Sequence, residues 1–336
     1  MHVIYAKSVN EALSSFLWKL QTSHTLEDTR NGPAMMLNAP LAMVYTNPSR
    51  RVLMSPMRDA NPFFHLMEAM WMLAGRNDVG FLKLFVKRFT QYSDDGSTIP
   101  GAYGHRWRVR FGVDQLKVAA NLLRTDPTSR RAVLTMWHPD DLKIAGESRD
   151  VPCNTQCYFS VSDGRLDMLV TSRSGDALWG LFGANVVHFS FLLEYMAACV
   201  GVAVGTYTHV CNNAHLYATS GWHADNLHTL ALDVAAAEHD RVGQPLFPAE
   251  GCDPTAGFGF FTQDLHWFFR AHDDATTPAR YMYTTPFVRD VVVPAYIAHT
   301  MYRGKLFAAA REVVAAITAD DWRAAMLQWL DRRTQG

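Results

Sequence analysis

The chain has no CxxC pair, so a zinc ribbon is not expected. Its five cysteines, at 153, 157, 199, 211 and 252, form an odd and scattered set, which suits a reducing compartment better than a disulfide framework. An excess of either charge is also lacking. Thirty-one Lys and Arg stand against 32 Asp and Glu, for a formal net charge of -1. That balance excludes a general nucleic-acid coat and a polybasic membrane anchor, but not a small local anion site. The start, "MHVIYAKSVNEALSSF", has no basic region followed by an apolar signal core. The most apolar run, "HFSFLLEYMAACVGVAVG", carries Glu194 in its middle and reads as a buried helix rather than a membrane span. No GxGxxG follows a strand, which argues against a nicotinamide oxidoreductase. No repeat, low-complexity linker or firm domain boundary is visible.

What the chain does have is apolar material. Of its 336 residues, 49% are hydrophobic and 19% charged, enough for a sizeable core. A single α+β domain over residues 1–336 is expected, with about 226–336 forming a mostly helical C-terminal part. Apolar residues at helical spacing (Ala12, Leu13, Phe16, Leu17, Leu20) predict a helix over 8–20, and Ser8 with Glu11 fits a capping box. "NPFFHLMEAMWMLAG" predicts a mostly buried helix, with Pro62 in its first turn and Gly75 at its stop. "VDQLKVAANLLRT" predicts an amphipathic helix. "LAMVYT", "RRVLMS", "RRAVLTMW", "CYFSVSDGRLDMLVTSR" and "VGTYTHVCNNAHLYA" read as strands or strand-like runs, with a hairpin turn at "SDGR". A long buried helix is expected over roughly 187–200.

Four groups of residues could carry chemistry. Cys153 follows Pro152, whose fixed φ holds the chain in a defined conformation; a nearby arginine would favour its thiolate. Arg30 lies in a turn, Arg130 and Arg131 start a strand, and Arg173 precedes Ser174. Arginine forks and a hydroxyl suit phosphate oxygens. Adjacent strand residues point to opposite faces, so Arg130 and Arg131 can serve one phosphate only at a strand end or a subunit interface. Glu68 sits on an apolar helix, where a lone carboxylate is costly and often works as an acid or base. His215 and Tyr217 share a strand face and could hold a sugar hydroxyl. Each group also has a plain structural reading: a core cysteine, solvated arginines, a buried ion pair, a half-buried strand face.

Taken in order, these pieces resemble the thymidylate synthase superfamily. The set comprises Arg30, "EAMW" at 68–71, "AYGHRWR" at 102–108, "SRRAV" at 129–133, "VPC" ending at Cys153, "SRSGDALWG" at 172–180, Asn185 and "HLY" at 215–217. The resemblance covers roughly residues 8–225. It implies a central mixed sheet with buried helices, a sheet-to-sheet homodimer, and no metal. It implies that Cys153 adds to ring carbon 6 of a pyrimidine nucleoside monophosphate, and that carbon 5 then takes a one-carbon unit from 5,10-methylene-tetrahydrofolate. Glu68 would relay protons and Tyr103 would sit near the base. Arg30, Arg173 and Ser174 would hold the phosphate, with Arg130 and Arg131 donated by the second subunit. Asn185 would read the base. His215 and Tyr217 would bind the sugar, and Asp176 and Gly180 the folate.

The chain departs from the synthase pattern in four places. Asn154 replaces the histidine after the cysteine. "GLFGAN" is one residue longer than the usual loop, and Asn185 can face uracil or, flipped, cytosine. The segment "RFTQYSDDGSTIPGAYG" before and including "YG" has no tryptophan to shield the exocyclic methylene from water. The end "LDRRTQG" does not match the synthase tail. The last two departures imply a hydroxymethylated product. The expectation is a cytoplasmic deoxycytidylate hydroxymethylase of the kind that supplies modified bases for viral DNA. Alternatives are dUMP methylation, hydroxymethylation of dUMP or CMP, and an inactive nucleotide-binding relative.

Overall fold

A computed structural model describes residues 1–237, 241–247 and 254–334 of the chain; Cys252 lies outside them. Helix α1 (Val9–Thr22) starts where the capping pattern places it. Ser8 Oγ accepts from the Glu11 N–H at 3.1 Å. The reciprocal bond is shifted by one residue, because Glu11 Oε2 accepts from the Lys7 N–H at 2.7 Å. The five apolar residues that predicted this helix are wholly buried, each worth roughly 1.5–3 kcal/mol for the larger side chains. Helix α2 (Pro62–Leu73) is capped by Asn61 and buried along its whole length. It stops at Gly75, whose φ of 74° is the left-handed conformation that glycine adopts without strain.

The fold is α+β. A six-stranded mixed sheet runs in the order β1 (His2–Ala6), β4 (Leu41–Tyr45), β9 (Ala203–Cys211), β7 (Arg165–Ser172), β6 (Asn154–Ser162), β5 (Val133–Thr135). The turn between β6 and β7 is formed by Asp163 and Gly164, both at positive φ, as the "DG" signal predicts. Helices α3 (Gln115–Thr125) and α4 (Asn185–Val200) follow the predicted spans closely. Together with the segment before it, α4 is long and apolar enough to cross a membrane, but 83% of that stretch is buried inside the fold. Glu194, the oddity in the middle of α4, pairs with the buried Arg51 at 2.7 Å. Arg51 lies in the "RRVLMS" run, which forms no strand. Asn10 of α1 holds that run instead, donating to Val52 O and accepting from the Met54 N–H.

A second, four-stranded sheet was not expected. It runs β2 (His24–Thr29), β3 (Gly32–Leu37), β10 (Ala214–Tyr217), β8 (Gly175–Asp176). The C-terminal part is helical: α5 (Leu227–Ala236), α6 (Pro254–Asp273), α7 (Val293–Arg303), α8 (Phe307–Ala315) and α9 (Asp320–Thr334). Trp329 of α9 packs edge-on against Phe63 of α2, with ring centroids 5.3 Å apart.

Among the described residues, one face of the large sheet is left partly open to solvent. A single row crosses all six strands through Tyr5, Val44, Thr208, Leu169, Tyr158 and Val133, each the register partner of the next. Every member of that row is exposed or half-exposed.

Candidate active site

Cys153 is the last residue before β6, half-buried at the sheet end. Arg173, just beyond β7, is fastened to the turn that presents it. Its N–H donates to Cys153 O at 2.9 Å, and its guanidinium donates to Pro152 O and Val151 O, both at 2.9 Å. Nη2 then lies 3.8 Å from Cys153 Sγ. The arginine therefore stands where the thiolate needs it. The net effect differs from expectation, however. Burial pushes the thiol up by more than Arg173 and Arg30 pull it down, and Asp150 and Asp176 add to the rise. The thiol is held protonated in the resting site.

Tyr103 opens a short helical turn that docks on the end of α2. The intervening Gly104 allows it: a Cβ there would come within 1.7 Å of Met72 O. Burial and the nearby Cys153 and Asp150 keep the Tyr103 phenol protonated. Asn154, fully buried, lies against the Tyr103 hydroxyl, and neither of its amide atoms has an aligned partner. Sequence reasoning missed Asp150. Its Oδ2 accepts from the Gly101 N–H at 2.7 Å, and burial pushes its carboxyl up to about 6.

Glu68 is 8% exposed on α2. Its Oε2 is 3.1 Å from His188 Nε2 on α4. His65, one turn before Glu68, is buried, and desolvation with Arg58 and His188 nearby pushes its imidazole down to about 3. Arg58 donates to Leu178 O. The next residue, Asp59, is gripped by α9, where Arg332 and Arg333 both bind it, at 3.0 and 2.7 Å. None of His188, His65 or Arg58 stood out in the sequence. Their signal is a meeting of two helices and a loop, which no local spacing encodes.

The small sheet brings the remaining residues together. His215 and Asp176 are register partners on β10 and β8. The carboxylate of Asp176 accepts from the Leu178 and Trp179 N–H groups at 3.3 and 2.9 Å. His215 and Tyr217 share one face, with ring centroids 4.8 Å apart. Asn31, next to Arg30 in the β2–β3 turn, donates to the Tyr217 hydroxyl at 3.2 Å. Asn185 begins α4 just after a backbone kink at Gly183, and a Cβ on Gly180 would touch its amide at 3.2 Å. Ser174 is half-buried between Arg173 and Gly175. Arg30, Arg130 and Arg131 are exposed and form no ion pair among the described residues. Arg130 and Arg131 precede β5 instead of starting it. Among those residues no group of three or more His, Cys, Asp or Glu is placed to hold a metal.

Residues 20–234 match the family model described as thymidylate synthase. The chain belongs to the thymidylate synthase family. It is 40% identical to the deoxyuridylate hydroxymethyltransferase of Pseudomonas phage M6 over 344 residues, covering 99% of this chain and 95% of that protein. It is 38% identical to the enzyme of the same name from Bacillus phage SP01 over 188 residues, 53% of this chain and 49% of the relative. A thymidylate synthase from Symbiobacterium thermophilum is 35% identical over 175 residues, 46% of this chain and 59% of that protein. As a family member, the protein is a folate-dependent enzyme of one-carbon transfer to ring carbon 5 of a pyrimidine nucleotide.

The residues beside Asp176 fit a flat, acidic-tailed folate. The half-buried Trp179 ring meets Phe64 at 5.5 Å and Tyr92 at 6.4 Å, with the Arg88 guanidinium 5.4 Å from its centre. An aromatic shelf next to a carboxylate suits a pterin and its aminobenzoate, and an exposed arginine suits the glutamate tail. Tyr92 comes from the stretch that lacks tryptophan, so that stretch is not without an aromatic.

Proposed function

We propose that this thymidylate synthase family member hydroxymethylates deoxyuridylate. The similarity to the phage M6 enzyme carries the reading, because it extends through the C-terminal helices beyond the synthase match at residue 234. Uracil thus replaces the cytosine expected from the sequence, and the Asn185 amide can both donate to and accept from a uracil edge.

In this reading Cys153 Sγ adds to ring carbon 6, which makes carbon 5 a nucleophile toward the one-carbon unit that bound methylene-tetrahydrofolate supplies. Splitting the substitution this way replaces one difficult step by easier ones. The bond from that carbon to tetrahydrofolate then breaks, the folate leaving with the electron pair while the carbon-5 proton goes to solvent, which leaves an exocyclic methylene on the nucleotide. Water adds to it, Glu68 takes the water proton, and the electron pair returns through the ring to expel the Cys153 thiolate. Tyr103 and Asn154 border the base, and His215 and Tyr217 hold the sugar. Asp176, Gly180 and the Trp179 shelf hold the folate.

The phosphate would be met by Arg30, Arg173 and Ser174. Arg173 spends its Nε and Nη2 on carbonyls, which leaves Nη1 for an anion. Arg130 and Arg131 would reach the phosphate of a second subunit docked on the partly open sheet face. The apolar row through Tyr5, Leu169, Tyr158 and Val133 supports that homodimer. The chemistry belongs in the cytoplasm, where nucleotides and reduced folates meet.

The test is direct. The protein is incubated with methylene-tetrahydrofolate and dUMP, dCMP or CMP, and products are identified by mass. Hydroxymethyl-dUMP is expected. Hydroxymethyl-dCMP would restore the cytosine assignment, and methylated dUMP with dihydrofolate would make the chain a synthase.

A further inference from the structure

We infer that His188 is a positioning residue for Glu68, aiming the carboxylate at the water that is added to the nucleotide. The inference rests on the reading of Glu68 as the proton acceptor of that step. Three observations carry it. His188 Nε2 and Glu68 Oε2 are 3.1 Å apart, with side chains only 5% and 11% exposed. Both ring nitrogens of His188 and Oε2 of Glu68 are buried without an aligned hydrogen bond. A buried polar group left unpaired is costly, so contact without alignment marks a pair that completes its bond when the site closes on substrate. Finally, α2 and α4 are packed, buried helices, so the pair is held by rigid elements rather than by loops.

The geometry assigns each atom a task. When the site closes on substrate, the His188 Nε2–H donates to Glu68 Oε2 and fixes the carboxylate plane. Oε1 is left to face the water. In the step itself the water O–H bond breaks and its proton goes to Glu68. The oxygen forms a bond to the exocyclic carbon, and the electron pair moves into the ring and out with the Cys153 sulfur. No oxidant or reductant is consumed. Among the described residues, His65 on α2 lies near both His188 and Arg58, and Arg58 is hydrogen-bonded to Leu178 O. Neither is placed to replace the Nε2 donor: burial holds His65 neutral, and Arg58 is engaged by that carbonyl.

The experiment compares H188Q, H188L and E68Q in the full-length enzyme. Gln keeps a donor near the Nε2 position, and Leu fills the space without one. H188L should lose roughly tenfold or more in kcat, the usual worth of a hydrogen bond to a charged group, with KM for nucleotide unchanged. The pH below which its turnover falls should move upward. H188Q should recover most of kcat and the wild-type pH profile. Equal kcat and pH profiles in H188L and wild type would overturn the inference. So would equal losses in H188L and H188Q with a raised KM, the mark of a structural role. If H188L does not fold, H188N takes its place, since its shorter amide cannot reach Glu68. Full turnover by E68Q would instead refute the underlying role of Glu68.

Discussion

Replacing Asp150 with Asn should make the protein more stable at neutral pH and its nucleophile easier to ionise. Burial raises the Asp150 carboxyl from 3.8 to about 6, so the folded state binds a proton there more tightly than the unfolded chain does. Folding is therefore favoured while the group is protonated, and that advantage is lost as pH rises from about 4 through about 6. At about 1.4 kcal/mol per pH unit the full loss is ~3 kcal/mol. The side chain is only partly shielded from water, so ~1–3 kcal/mol is the realistic range. Asn keeps an oxygen for the Gly101 N–H and carries no charge. Urea denaturation of both proteins should give nearly equal stabilities near pH 4. A gap in favour of D150N should open by about pH 6 and stay constant above it. Because the Asp150 carboxylate also raises the Cys153 thiol, alkylation of Cys153 in D150N should begin at lower pH. A pH-independent difference, or unchanged alkylation, would refute the reasoning.

Gly104→Ala forces a Cβ onto the Met72 carbonyl and should cost more than about 3 kcal/mol; a soluble variant with wild-type melting would contradict that packing. Glu194→Ala strips the buried Arg51 of its partner and should cost about 3–5 kcal/mol in urea titration, whereas a paired Arg51→Met, Glu194→Leu change should recover much of it. Mixing inactive Cys153→Ala with inactive Arg131→Ala should restore activity if the arginine serves its neighbour's site; a mixture that stays dead, with subunit exchange verified by mass, would count against the shared site.

Local rules made much of the fold legible. Ser8 with Glu11 placed the start of α1, Pro62 and Gly75 bracketed α2, and the Asp163–Gly164 turn set the β6–β7 hairpin. The β2–β3 hairpin was hidden because "HTLEDT" is mostly exposed and has no apolar alternation to read. Of the candidate site, the residues from Arg30 to Tyr217 could be named in the sequence through the resemblance to the thymidylate synthase superfamily. Cys153 and Arg173 do meet as expected, but the thiol's environment could not be foreseen, since burial and Asp150 outweigh the arginine. His188, His65 and Arg58 were invisible because α2, α4 and the loop before α2 must pack before they touch. The C-terminal helices had no assigned role, yet α9 holds Asp59 beside Arg58 and packs on the helix that carries Glu68.

The central claim is that an adduct on Cys153 is resolved by water. The most direct test runs the reaction on dUMP in water enriched in heavy oxygen and weighs the product. The account predicts a hydroxymethyl nucleotide carrying one heavy oxygen, formed by the wild type and not by Cys153→Ser. A methylated product without label, or equal product from Cys153→Ser, would contradict it.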